Sequence, residues 1–157
     1  MRWNSRWRLK QRLERLFGIS TEAVIQDVDI PLSNAAEFLD FFQREIGITP
    51  IWICPIRPWD RVQRFDLYPL VPGTTYVNFG FWDRVRVEKG RPPGYLNRKL
   101  ERKVAQLGGI KSLYSDSYYP RDEFWSVYDR QVYQRLKARY DPQGRLKDLY
   151  EKCVLRR

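Results

Sequence analysis

The stretch GGIKSLYSDSYYPRDEFW, residues 108–125, decides the fold. Gly108 and Gly109 suit a helix end, because glycine takes the left-handed conformation without a Cβ penalty. Residues 110–114 are short, mostly apolar and bounded by punctuation, which predicts a buried strand. Residues 115–119 set Asp116, two serine hydroxyls and two phenols in one loop. Pro120 and Asp122, ahead of Phe124 and Trp125, predict the start of a further helix. A polar, aromatic loop between a buried strand and a helix is a common seat for ligand contacts.

The chain before this stretch supplies the rest of the sheet. Residues 95–107 read as a helix with Leu96, Leu100, Val104 and Leu107 on one face and Arg98, Lys99, Arg102 and Lys103 on the other. In residues 75–82, Val77, Phe79 and Phe81 alternate with Tyr76, Asn78, Gly80 and Trp82, the period of a strand. Gly80 inside it marks a bulge or a close approach to the backbone. Residues 50–56 give another strand, with Trp52, Cys54 and Ile56 on one side. A proline-rich connection, residues 57–73, separates the two, and Pro72-Gly73 signals a turn.

Residues 23–30 alternate as well, with Ile25, Asp27 and Asp29 on one face and Gln26, Val28 and Ile30 on the other. Ser33 is a candidate N-cap for a helix carrying Ala35, Phe38, Leu39, Phe42 and Ile46 and stopped by Gly47. The order is therefore β-α-β-β-α-β. It predicts an α+β, ferredoxin-like antiparallel sheet with both helices on one face. The other face is left for solvent, a partner or a ligand. On this phase it presents Asp27, Trp52, Cys54, Tyr76 and Asn78.

Both flanks read as helical. Residues 1–17 carry six basic residues against Glu14, with Trp3, Trp7, Leu9, Leu13, Leu16 and Phe17 at helical spacing. Three roles fit that segment. It can dock on the domain, lie on an anionic membrane through Trp3, Trp7, Arg6 and Arg8, or serve as a nucleic-acid arm. Residues 122–140 read as one helix with a stripe of Phe124, Tyr128, Val132, Leu136 and Tyr140, followed by a turn at 141–144 and a short helix at 146–155. The division expected is residues 1–18 as a basic amphipathic helix, 19–115 as the ferredoxin-like domain, and 116–157 as a helical C-terminal segment.

Composition narrows the chemistry. Hydrophobic residues at 43% and aromatics at 15% of 157 residues support a folded core. The net charge of +10 and pI near 9.8 favour an anionic partner. Nucleic acid is the weaker choice, because the basic-aromatic pattern of RNA-recognition sheets is missing. There is no histidine, which removes Ser-His-Asp and Cys-His catalysis and most catalytic zinc sites. Cys54 and Cys153 are too few for a zinc site, so no metal is expected. No apolar run reaches the ~20 residues of a spanning helix, and no signal-peptide core follows the basic start. A cytoplasmic chain, with its basic helix available to a membrane surface, is the expectation.

Several of these runs also carry a family resemblance. VIQDVDIP (24–31), PIWICP (50–55), YVNFG (76–80), LYSDSYY (113–119) with RDEFW (121–125), and YDPQG (140–144) with DLY (148–150) resemble the C-terminal part of FAD-linked oxidoreductases of the vanillyl-alcohol-oxidase superfamily. Within it the resemblance is to the delta(24)-sterol reductase group. It implies a cap on a ferredoxin-like sheet that covers the flavin and shapes a hydrophobic, sterol-like substrate pocket. It also implies an N-terminal FAD-binding domain, as a separate domain or partner chain, since no glycine-rich FAD-phosphate loop is present in these residues. A chain without that domain is expected to be inactive alone. On this reading Asp116, Tyr118 and Tyr119 face the flavin or substrate, and Asp27, Trp52, Cys54, Tyr76 and Asn78 line the sheet above the ring. Lys111 either pairs with a flavin anion or is a solvated strand-edge lysine.

Overall fold

The computed structural model describes residues 20–156 except Arg61 and Gln63. The basic segment at residues 1–17, with Trp3, Arg6, Trp7 and Arg8, lies outside the described residues. Four strands and four α-helices follow in order: β1 (Ser20–Pro31), α1 (Ala35–Glu45), β2 (Trp52–Ile56), β3 (Tyr76–Val87), α2 (Tyr95–Gln106), β4 (Ile110–Lys111), α3 (Arg121–Val127) and α4 (Arg130–Tyr140). A π-helical turn, Glu151–Leu155, closes the described chain. The sheet runs β2-β3-β1-β4, and every neighbouring pair is antiparallel. This is the ferredoxin-like α+β arrangement read from the alternation.

The core forms between the sheet and α1 and α2. Val24, Val28 and Ile30 of β1, and Val77, Phe79 and Phe81 of β3, point to the helices and are buried with Phe38, Phe42, Leu100 and Val104. Phe38 packs on Phe79 at 4.9 Å between ring centroids, and Phe42 on Phe81 at 4.4 Å. Each such side chain contributes roughly 1.5–3 kcal/mol on burial. Glu22 of β1 ties the layers together: its carboxylate accepts hydrogen bonds from Leu96 N at 3.1 Å and Asn97 N at 2.8 Å, and also from Asn97 Nδ2 at 2.6 Å. It caps α2 from the sheet, because Gly94 at the N-cap position offers no side chain.

Four details differ from the sequence pattern. The β1–β3 pairing runs from Ser20 to Pro31, beyond the expected 23–30, as a ribbon in which the Arg84 guanidinium holds Thr21; its polar residues hide it from a hydrophobic reading. The fourth strand is only Ile110–Lys111, extended by Ser112 N donating to Asp27 O at 2.9 Å. Ser33 is not a cap: it lies inside a 3-10 turn, Leu32–Asn34, while Asn34 Nδ2 donates to Leu107 O at 2.9 Å. The long helix expected at 122–140 breaks at Asp129, whose φ is 28° and whose carboxylate accepts from Gln131 N and Val132 N, both at 3.0 Å. A side chain that caps a new helix ends the old one, so Phe124 and Tyr128 are buried while Leu136 and Tyr140 are exposed.

A second apolar cluster lies at the β4 edge. Ile110, Tyr119, Phe124, Trp125, Tyr128 and Tyr150 are buried there, with Tyr68 and Leu70 against them. The two crossover helices do share one face, as expected, but the connection before β3 and the C-terminal segment cover part of the other.

Candidate functional site

The strand register fixes what the helix-free face carries. Directly paired residues point the same way, so Ile25 stands beside Trp82, Asp27 beside Gly80 and Trp52, Asp29 beside Asn78 and Cys54, and Pro31 beside Tyr76 and Ile56. Asp27, Trp52, Cys54, Tyr76 and Asn78 therefore share this face.

The face has a covered half and an open half. In the covered half Asp29 is buried and fully engaged. It accepts from Tyr68 Oη at 2.6 Å and from Asn78 Nδ2 at 2.8 Å. Burial and the Asp29 carboxylate push the Tyr68 phenol up, so it stays a donor. Tyr76 is buried too, and its hydroxyl accepts from Val71 N at 3.0 Å. Tyr76 thus holds the 57–75 connection through Val71, and Asn78 is spent on Asp29, so neither serves an open surface.

The open half is aromatic. Trp52 is 61% exposed, Trp82 62% and Tyr114 62%, with Ile25 beside them. Between them Asp27 lies across Gly80: a Cβ on Gly80 would stand 2.5 Å from Asp27 Oδ1 and 3.3 Å from Trp52 Cβ. The close approach that a strand glycine suggests is this carboxylate. Tyr114 lies against Asp27, and its phenol is pushed up, first by burial and then by that charge. Cys54 is a free, half-buried thiol one row away. This half can cover a flat or apolar group and set one carboxylate and one phenol against it.

Beyond Tyr114 the loop after β4 turns away, and residues 115–119 do not join this surface. Lys111 pairs with Val28 of the helix-facing set, so its side chain enters the layer beneath α2. It is fully buried and donates to Asp116 O at 2.9 Å and Ser117 Oγ at 2.7 Å. The reading of Lys111 as a solvated strand-edge lysine is corrected. Burial pulls its amine down to about 8, partly offset by the charge of Glu101. Glu101 is buried on α2, its carboxyl pushed up by desolvation, and it accepts from Tyr118 N at 2.9 Å. Asp116 is exposed and ion-paired with Arg156 at 3.2 Å. The Tyr118 ring lies under the Arg156 guanidinium and over Gly94, while Tyr119 is buried against Phe124 and Tyr128. Lys111, Asp116, Tyr118 and Tyr119 therefore form a second group around α2, apart from the Asp27 surface.

Sequence reasoning missed Tyr114, Trp82 and Ile25 as members of the open surface. For Trp82 and Ile25 the signal was present, since both lie in phase with Asp27 and Gly80. Tyr114 lies beyond the end of β4, and only the Ser112–Asp27 bond carries the strand's direction that far. Among the described residues there is no cluster of three or more Cys, Asp or Glu able to hold a metal, and no helix long and apolar enough to cross a membrane.

Fold and surface together define an α+β sheet domain with one exposed aromatic face. The chain is similar in sequence to the delta(24)-sterol reductases, the group that its motifs resemble. It is 29% identical over 138 residues to the delta(24)-sterol reductase of Rattus norvegicus, covering 82% of this chain and 25% of the relative. It is 28% identical to that of Homo sapiens over 138 residues, again 82% of this chain and 25% of the relative. With the Arabidopsis thaliana enzyme it shares 24% over 147 residues, 82% of this chain and 26% of the relative. The chain thus spans about a quarter of the length of the curated relatives it matches. No protein-family profile matches it, and no solved structure matches it.

Proposed function

We propose that this domain is the substrate-covering part of a FAD-dependent reductase of the delta(24)-sterol reductase kind, and that its open sheet face closes one wall of a flavin and sterol pocket. One observation carries the reading: a helix-free sheet face with Trp52, Trp82, Ile25 and Tyr114 exposed around the Asp27–Gly80 pair, in a chain similar in sequence to sterol reductases. Such a surface matches the flat, apolar skeleton of a sterol and one face of a tricyclic ring.

The fit to the cofactor is partial, and the partial fit is informative. The face suits the ring system. On the helix side, the N-terminus of α2, where an anion could bind, is filled by the Glu22 carboxylate. On this proposal the phosphates of FAD are held by another domain or chain. Bound there, the flavin would supply the electrons of the reduction. This chain's part is to exclude water with the two tryptophans and to set the Asp27 carboxylate and the Tyr114 phenol against the substrate. A phenol kept protonated is suited to hydrogen-bonding or protonating what it faces.

The test is binding of a fluorescent sterol to the purified chain, read by energy transfer from tryptophan. Saturable transfer that falls at least fivefold in a Trp52→Ala, Trp82→Ala pair is expected, with free FAD binding only weakly. Saturable transfer that survives both substitutions would place the sterol elsewhere and sink the proposal, as would the absence of saturable transfer.

A further inference from the structure

A second exposed apolar surface lies at the far end of the sheet. Pro31, Tyr76 and Ile56 form the last paired row. The segments leaving that row are the start of the 3-10 turn, the 57–65 loop and the approach to β3. Each exposes an apolar side chain: Leu32, then Trp59 at 99% and Val62 at 83% exposure, then Phe65 and Val71. Full exposure of a tryptophan forgoes a large apolar burial. Here it occurs at a tip that is built to project. Pro58 is buried and pins the loop, and Asp60 Oδ1 accepts from Val62 N at 2.7 Å, which turns that carboxylate back on its own backbone.

The charges in this loop accompany the apolar tip. Arg57 and Arg64 are exposed on either side of it and make no ion pair among the described residues. The sequence RPWDRVQRF, 57–65, intersperses three arginines with Pro58, Trp59, Val62 and Phe65, and Asp60 and Gln63 are its other residues. Asp66 follows it. Tryptophan among arginines is the composition of a headgroup-level contact: the indole and aliphatic side chains enter the acyl boundary while guanidinium groups bond phosphates. Trp59 and Val62 do not line the groove that Phe65 and Val71 share with Trp125 and Val127, so the tip alone offers too small an apolar area for a protein partner.

We propose that this end of the sheet, led by Trp59 and Val62 with Arg57 and Arg64 beside them, docks on a phospholipid bilayer with anionic headgroups. The site is separate from the Asp27 face, and it does not depend on the reductase reading. A domain docked there keeps the Asp27 face free of the membrane for a second domain.

The experiment is sedimentation of the full chain with phosphatidylcholine vesicles, with and without about a third phosphatidylserine, over a salt series. Brominated acyl chains serve as quenchers. Binding favoured by phosphatidylserine and weakened by salt is expected. The pair Trp59→Ala and Val62→Ala should lower partitioning about tenfold. The pair Arg57→Gln and Arg64→Gln should remove most of the phosphatidylserine preference, and Tyr140→Ala, at an exposed aromatic on α4, should leave the partitioning as it is. Trp59→Phe, which keeps the ring and the fold, should remove the quenchable part of the fluorescence. Unchanged partitioning of the Trp59, Val62 pair overturns the proposal and assigns the binding elsewhere, residues 1–18 included. A chain that ignores vesicles but self-associates through Trp59 overturns it in favour of a protein interface.

Discussion

The carboxylate of Asp27 occupies the space that a side chain at Gly80 would need, 2.5 Å from the position of a Cβ. The two residues are cross-strand partners, and the glycine is what lets the carboxylate lie over the strand beside Trp52. Gly80→Ala must displace it. A cost of about 1–3 kcal/mol is expected from overpacking, measured by urea denaturation. In an Asp27→Ala background the same change should cost less than half as much. Equal costs in the two backgrounds would mean that Trp52 Cβ, at 3.3 Å, sets the constraint instead.

Glu22 and α2 give a second prediction. The carboxylate satisfies two helix N–H groups that Gly94 leaves open and also holds Asn97 Nδ2. Glu22→Ala removes a cap and leaves those donors in a half-buried site. A loss of about 1–2 kcal/mol is expected, with Glu22→Gln losing less because it keeps an acceptor but not the charge that suits the helix dipole. Amide exchange at Leu96 and Asn97 should rise in the alanine variant and stay low in Arg130–Tyr140 of α4, which provides the internal control.

How much of this was legible in the sequence follows from where the partners lie. Alternation placed Asp27, Trp52, Cys54, Tyr76 and Asn78 on one face, because a strand's period is local and the register keeps it. The same residues could not reveal which half of the face is covered. That depends on Tyr68 reaching Asp29 across 39 positions. Lys111 reads as a solvated lysine in its own neighbourhood. Its burial depends on β4 ending after two residues, so that Ser117 and the Asp116 carbonyl fold back onto the amine, and on Glu101 across the layer. Tyr119 reads as a ligand contact for the opposite reason: a phenol in a loop looks available until Phe124 and Tyr128 close on it. The break at Asp129 was hidden because an aspartate is a tolerable residue within a helix and a better one at its start.

The Tyr68 hydroxyl holds the 57–75 connection to the sheet through Asp29, with Ser112 Oγ at 3.3 Å on its other side. Tyr68→Phe keeps the ring in the second apolar cluster but leaves a buried carboxylate with Asn78 as its remaining side-chain donor. Loss of about 1–3 kcal/mol is expected. The sharper readout is proteolysis. Cleavage within residues 57–75 should accelerate in Tyr68→Phe, while the arginine sites in α4 remain as in the parent chain. A general acceleration at all sites would instead report global destabilisation and remove the special role of this hydroxyl.

The last prediction concerns pH. Folding pulls the Lys111 amine from 10.5 down to about 8, chiefly through desolvation. Between those values the unfolded chain holds more protons at this site than the folded chain, so stability contributed by the site rises as pH rises. Below about 8 the buried charge is carried in full, at a cost of roughly 3 kcal/mol from 1.36 kcal/mol per pH unit. Above 10 a second effect opposes it. Tyr68, Tyr119 and Tyr128 are pushed up by burial, stay protonated in the fold and ionise in the unfolded chain, so stability falls with further rise in pH. The parent chain should therefore gain stability from pH 7.5 to about 9.5 and lose it beyond 10. In Lys111→Met the first limb should flatten and the second should remain. The comparison rests on slopes because the substitution also strips Glu101 of a favourable charge and so lowers stability at every pH where that carboxylate is ionised. A first limb of unchanged steepness in Lys111→Met would show that Glu101, Asp116 O and Ser117 Oγ keep the amine charged throughout, and that its burial is fully compensated.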